Sequence, residues 1–183
     1  MFSPSKWKWP IHDHVRKLMA SDHDATILEQ LNELHVTFYG PKGTPYWTGV
    51  WDVRVDLPEQ YPRQSPAVRF LNKIYHPNID LESGAVCESA VKRAWNVSSD
   101  LLDLFDRLLP QLLAHPAPIV PLNQEAAIMR RWPQEYDERV REYVVMFATP
   151  ENPKGRNNAS SGSDSIASTL SDEDGGTTTP SCS

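Results

Sequence analysis

From Trp51 to Leu57 the chain reads Trp-Asp-Val-Arg-Val-Asp-Leu, with an apolar side chain at every second position. A period of two places those side chains on one face of a β-strand, so Val50–Leu57 predicts a half-buried strand. Leu34–Tyr39, which ends at Gly40-Pro41, reads as another. Ala25–Leu31 and the short run Ala67–Leu71 after Pro66 supply two more. Ten of the 16 prolines lie between Pro41 and Pro121, which makes the middle of the chain turn-rich and rules out one long helix there. Short strands with brief Gly/Pro connections favour an antiparallel meander.

The ends follow a different period. Val15, Leu18 and Met19 recur at helical spacing behind Pro10 and Asp13. In Asp100–Leu113 the apolar positions Leu101, Leu104, Phe105, Leu108, Leu109 and Leu112 follow the i, i+3, i+4 rule, with Asp100 as the N-cap. Further helices are predicted over Asn123–Arg131 and over Pro133–Phe147, where Pro133 takes the tolerated first-turn position. Strands grouped in the middle and helices at the ends make an α+β domain: a four-stranded antiparallel meander with an N-terminal helix and C-terminal helices.

Composition divides the chain unevenly. Residues 157–183 hold 12 Ser/Thr, four acids and no Lys or Arg, which predicts a disordered acidic tail over 151–183 behind one folded unit over 1–150. The whole carries a net charge of −6, four units of it in residues 157–183. A body so weakly charged lacks the concentrated basic surface that nucleic acid demands. No apolar run is long enough for a membrane span, and Met1–Trp7 has no secretory apolar stretch. Cys87 and Cys182 cannot form a disulfide framework. These features predict a protein of the cytoplasm, the nucleus or both.

Cys87 draws attention through its surroundings. It follows the turn signal Ser83-Gly84 in a segment that begins His76-Pro77-Asn78. Free cysteines are often buried structural thiols, and that reading stands beside a nucleophile in a loop fixed by two turns. A nearby amide such as Asn78 suits thioester chemistry, because its N–H stabilises an oxyanion. His76 admits a Cys/His hydrolase pair, or only a local hydrogen-bonding role. The scattered histidines and lone cysteines show no metal-ligand spacing; Asp22-His23-Asp24 reads as a solvated turn. Trp51, Trp95 and Trp132 read as packing residues, and Trp7 and Trp9 as a docking patch or a flank folded back on the body.

Taken in order, these residues resemble the ubiquitin-conjugating enzymes. Tyr61-Pro62 and Pro66 are followed by His76-Pro77-Asn78, then by Cys87 nine positions after Asn78 and Trp95 eight after that. Pro116-Ala117-Pro118-Ile119-Val120-Pro121-Leu122 looks like the family's proline-rich loop. Phe38-Tyr39-Gly40-Pro41, Asn72-Lys73-Ile74 and the acidic extension look like its H-type branch.

The resemblance implies that Cys87 takes ubiquitin from an activating enzyme as a thioester and passes it to substrate lysines. ATP is used upstream by the activating enzyme, and no cofactor or metal is bound here. It further implies that Asn78 steadies the oxyanion or the active-site loop. Tyr75 and His76 would flank the lysine's approach, with Glu88, Ser89 and Val120 around it. Implied partners are ubiquitin, the activating enzyme, a RING-type ligase such as the multi-subunit GID/CTLH type, and lysine-bearing substrate proteins. A non-catalytic relative that binds ubiquitin or ligase subunits is the alternative. The chain departs from the family pattern where Val120 and Ser89 stand in place of frequent Asp residues, with Glu88 and Asp100 as candidate substitutes. It departs again where Arg63 replaces a frequent apolar residue beside Val97 and Ser98. Lys6, Lys8, Arg16 and Lys17 are left to face the activating enzyme.

Overall fold

The structure is a computed structural model that describes residues 8–30, 32–117 and 121–149, with the side chains of residues 8 and 9 excepted. Helix α1 (Lys8–Met19) leads into strands β1 (Ala25–Ile27), β2 (Glu33–Tyr39), β3 (Val50–Asp56) and β4 (Ala67–Phe70). The four pair antiparallel in sequence order, a meander. Strand β1 is shorter than the sequence predicts. The chain turns back after Ile27, where the Leu28 N–H donates to the Glu33 carbonyl at 2.9 Å.

The period of two is borne out in β2 and β3. Leu34, Val36 and Phe38 are buried, as are Trp51, Val53 and Val55, and the register pairs Val36 with Val53 and Phe38 with Trp51. The other face is polar; there Arg54 pairs with Asp56 at 2.9 Å and with Glu33 at 3.1 Å.

Across the apolar face lies a continuous helical rod made of α3 (Leu101–Asp103), a π-helical turn (Leu104–Leu108) and α4 (Leu109–Ala114). Its predicted stripe is buried at Leu101, Leu104, Phe105, Leu108 and Leu109, but Leu112 is only partly buried and Leu113 takes the buried place; the Phe105 ring lies 6.4 Å from that of Phe38. Asp100 caps it, accepting the Asp103 N–H at 3.0 Å. The wider turn immediately precedes Pro110. In an unbroken α-helix the proline would press its ring on the fourth carbonyl back and leave that carbonyl without a donor. The π turn re-routes the bonds there, with the Leu109 N–H donating to Leu104.

Helices α5 (Gln124–Met129) and α6 (Pro133–Phe147) complete the domain. The Asn72 side chain ties α6 to the sheet: its amide donates to the carbonyls of Val50 (3.0 Å) and Phe147 (2.9 Å), and its oxygen accepts the Asp52 N–H. One helix was not legible beforehand. Helix α2 (Glu88–Ala94) is seven residues long and buries only the adjacent Ala90 and Val91, so it carries no periodic stripe. Among the described residues no helix is long and apolar enough to cross a membrane.

Candidate active site

The segment between β4 and α2 is a hairpin that sets Cys87 at the head of α2. Asp80 accepts both the N–H (2.7 Å) and the hydroxyl of Ser83, bonds that hold its carboxyl below the usual range. Gly84 takes φ +70, and a Cβ there would lie 1.9 Å from the Phe70 carbonyl oxygen. The turn therefore needs glycine twice over, for its conformation and for the close approach. The Phe70 N–H reaches the Gly84 carbonyl, and the Val86 N–H reaches Val68, both at 2.9 Å. Cys87 is thereby fixed to the edge of the sheet. Its own N–H donates to the Asn78 carbonyl at 2.8 Å, and its thiol is half-buried.

His76 and Asn78 are both fully buried. The His76 Nε2–H donates to the Leu112 carbonyl, and its Nδ1 accepts the Asn78 N–H, each at 3.0 Å. A carbonyl can only accept and an N–H can only donate, so the ring is the neutral Nε2–H tautomer. Burial pushes its pKa down to about 3. With both nitrogens engaged by backbone, His76 has none to offer Cys87. Its role is the local hydrogen-bonding one, and the Cys/His hydrolase reading falls.

The Asn78 side chain meets one peptide unit from both sides. Its oxygen accepts the Ala117 N–H at 2.8 Å, and its amide donates to the Ala117 carbonyl at 3.2 Å. The asparagine thus braces the proline-rich loop against the segment that holds Cys87. Its partners are backbone groups, which any residue but proline at position 117 would supply, so no specific side chain in the sequence pointed to them.

Other expected site residues fall differently. Tyr75 is 1 % exposed; its hydroxyl donates to Glu125 at 3.1 Å and its ring packs with Tyr136 and Tyr143. The apolar core and a carboxylate on α5 draw it inward, so it does not flank an approaching lysine. Burial, then the Glu125 charge, raises its pKa. Glu88 and Ser89 are exposed in the first turn of α2, where Glu88 pairs along the helix with Lys92. Asp100, the other candidate substitute acid, is engaged as a helix cap and lies 4.0 Å from Lys17. Val120, Lys6 and Trp7 lie outside the described residues, as does everything from residue 150 onward. His23 of the Asp22–Asp24 turn meets Asp106 at 2.7 Å.

The expected docking residues do come together. The Trp95 indole N–H donates to the Pro62 carbonyl at 2.8 Å, drawing the exposed Arg63 loop toward exposed Val97 and Ser98. His14 of α1 lies 2.7 Å from the Tyr61 hydroxyl, which adds α1 to the same surface. There Arg16 and Lys17 share Asp13, at 2.8 and 3.2 Å. Trp51 and Trp95 are packing residues as expected, but Trp132 is 52 % exposed; it precedes α6 and points off the core. A cleft of about 510 Å³ runs between α2 and α4, with Ala90, Ala94, Leu108, Leu112 and His115 among its walls.

Comparison with known proteins agrees with this geometry. The family model for ubiquitin-conjugating enzymes matches residues 11–144. A ubiquitin-conjugating enzyme, E2-24 kDa, of Saccharomyces cerevisiae is 41% identical over 166 residues, covering 88% of this chain and 76% of its own length. Ubiquitin-conjugating enzyme E2 6 of Arabidopsis thaliana is 44% identical over 153 residues, 82% of each chain. An E2 domain of a Toxoplasma gondii ubiquitin conjugating enzyme shares the fold with a TM-score of 0.68 at 24% identity, covering 78% of this chain and 99% of that one. With the family model spanning most of the body and relatives this similar over most of their length, the chain belongs to the ubiquitin-conjugating enzyme family and is a ubiquitin-transferring enzyme.

Proposed function

We propose that Cys87 is the residue that carries ubiquitin. In the first step its thiolate attacks the thioester on the activating enzyme. A new C–S bond forms to ubiquitin's C-terminal carbonyl, the old one breaks, and the activating enzyme's thiolate leaves. In the second step a substrate amine attacks that carbonyl. A C–N bond forms, the C–S bond breaks, the amine gives up its proton to solvent, and the Cys87 thiolate is regenerated. The thioester keeps the acyl group energised, so ATP is needed only upstream and the chain requires no cofactor of its own. The observation that carries this reading is the free, half-buried Cys87 at the head of α2, whose backbone N–H is fixed to the Asn78 carbonyl at 2.8 Å.

The cleft between α2 and α4 suits the extended C-terminal tail of the bound ubiquitin, since its walls are mostly apolar and include Ala90, whose N–H donates to the Cys87 carbonyl at 3.0 Å. Asn78 serves as brace for the loop that borders the acceptor, and its amide keeps a second N–H for charge developing on the thioester oxygen. The surface of α1, Arg63, Val97 and Ser98 receives the activating enzyme and a RING-type ligase. The acidic extension and the H-type runs favour that branch, a GID/CTLH-type ligase and a cytoplasmic or nuclear setting. Charging with activating enzyme, ATP and ubiquitin tests the assignment. A band that reducing agent removes is expected in the wild type and not in Cys87→Ala; its persistence in that variant would overturn it.

A further inference from the structure

Each backbone carbonyl from Tyr75 to Asn78 has a donor. His76 accepts from the Ile79 N–H (3.2 Å), Pro77 from those of Leu122 (2.9 Å) and Asn123 (3.1 Å), and Asn78 from that of Cys87 (2.8 Å). The Tyr75 carbonyl differs, because its donor is a side chain, the Tyr46 hydroxyl at 2.7 Å. That hydroxyl also lies 2.9 Å from the Tyr136 hydroxyl on α6. Tyr46 has one hydroxyl proton and commits it to the carbonyl, so Tyr136 donates and Tyr46 accepts. A directed chain thus runs from α6 through Tyr46 to the residue before His76. Burial raises the pKa of both phenols, which keeps the two protons in place.

Tyr46 is a fixed post. It sits in the connection between β2 and β3, where its carbonyl accepts the Gly49 N–H at 2.9 Å and its N–H donates to the Thr44 hydroxyl oxygen at 3.3 Å. The Thr44 hydroxyl in turn donates to the Pro41 carbonyl at 2.7 Å. A Cβ on Gly40 would collide with the Tyr46 carbonyl, so that strand end packs directly on it. The Tyr46 ring lies 6.1 Å from the Trp51 ring and 6.2 Å from that of His76.

Without the Tyr46 hydroxyl the buried Tyr75 carbonyl has no donor, and the chain must shift to find one. The shift is handed on. His76 Nδ1 holds the Asn78 N–H, and the Asn78 carbonyl holds the Cys87 N–H. We infer that Tyr46 is a positioning residue for acyl transfer, acting through the His76–Asn78 segment on Asn78 and Cys87, with Tyr136 orienting its hydroxyl. The inference rests on Cys87 being the thioester residue.

The test charges full-length enzyme with ubiquitin and follows single-turnover discharge to free lysine at 25 °C. Loss of one buried hydrogen bond leaves a domain of ordinary stability folded at that temperature. A hydroxyl with a structural role alone would therefore lower the melting temperature and leave discharge unchanged. Tyr46→Phe is expected to slow discharge about tenfold, since a misplacement of about 1 Å can cost ~100-fold. Tyr136→Phe keeps the Tyr46 donor and is expected to slow it only about threefold. Because Tyr46 acts through the segment, most of its effect disappears when Asn78→Ala is already present. Val36→Ala, a core change on β2, serves as control: it lowers the melting temperature and keeps wild-type discharge. Wild-type discharge in Tyr46→Phe, a loss undiminished beside Asn78→Ala, or equal slowing in Val36→Ala overturns the inference. If Tyr46→Phe does not fold, Tyr136→Phe decides by the same criteria. Failure of the wild type to form a thioester appears before lysine is added, and points to the Cys87 assignment instead.

Discussion

Mild acid should loosen this enzyme through one histidine. His76 is fully buried and neutral, with a pKa pushed down to about 3 by burial. In the unfolded chain an imidazole titrates near 6.5, so below that pH the unfolded state binds a proton that the folded state does not. The sign follows: stability is fully present above pH 6.5 and is lost as pH falls toward the folded value. Between pH 8 and pH 5 the loss from this group is about 2 kcal/mol. For a domain of this size that lowers the melting temperature by roughly 4–8 °C. Burial also depresses His14, which acts in the same direction, so the measurement needs a comparison. In His76→Gln the amide can still accept from Asn78 and donate to Leu112, but it has no proton to gain. Thermal melts of wild type and His76→Gln at pH 8, 6 and 5 give the answer. The variant should lose markedly less stability than the wild type between pH 8 and pH 5. Equal pH dependence in the two proteins would refute the claim that His76 is held neutral.

Two further changes probe the loop. Asn78→Ala removes both side-chain bonds to Ala117, which at typical values costs about 1–3 kcal/mol. Lysine discharge from the charged variant should slow more than charging does. An unchanged melting temperature with wild-type discharge would dismiss the brace. Gly84→Ala forces a side chain into a left-handed conformation, costing about 1–3 kcal/mol, and against the Phe70 carbonyl as well. A melt within a degree of wild type would contradict the described hairpin.

The ordered set from Tyr61 to Trp95 carries the family resemblance without coordinates, because it lies in residue types and spacings along the chain. Periodicity likewise locates β2, β3 and the long rod, since burying one face of a strand or helix writes a repeat of two or of 3.6 into the residues themselves. Local rules reach no further. Helix α2 is too short to show a stripe, and β1 ends where a backbone bond to Glu33 turns the chain.

The site residues show the same division more sharply. That His76 and Asn78 matter is legible in the sequence; what they do is not, because their partners Leu112 and Ala117 are backbone groups 36 and 39 residues away. Tyr75 stands next to the motif in sequence, yet the tertiary structure turns it inward to Glu125, 50 residues on. Trp132 has the composition of a core residue and is left on the surface by the start of α6. A sequence specifies which side chains prefer to leave water and which can react. Only the packed chain decides which groups meet, because each such contact is settled by the positions of segments that lie far apart along it.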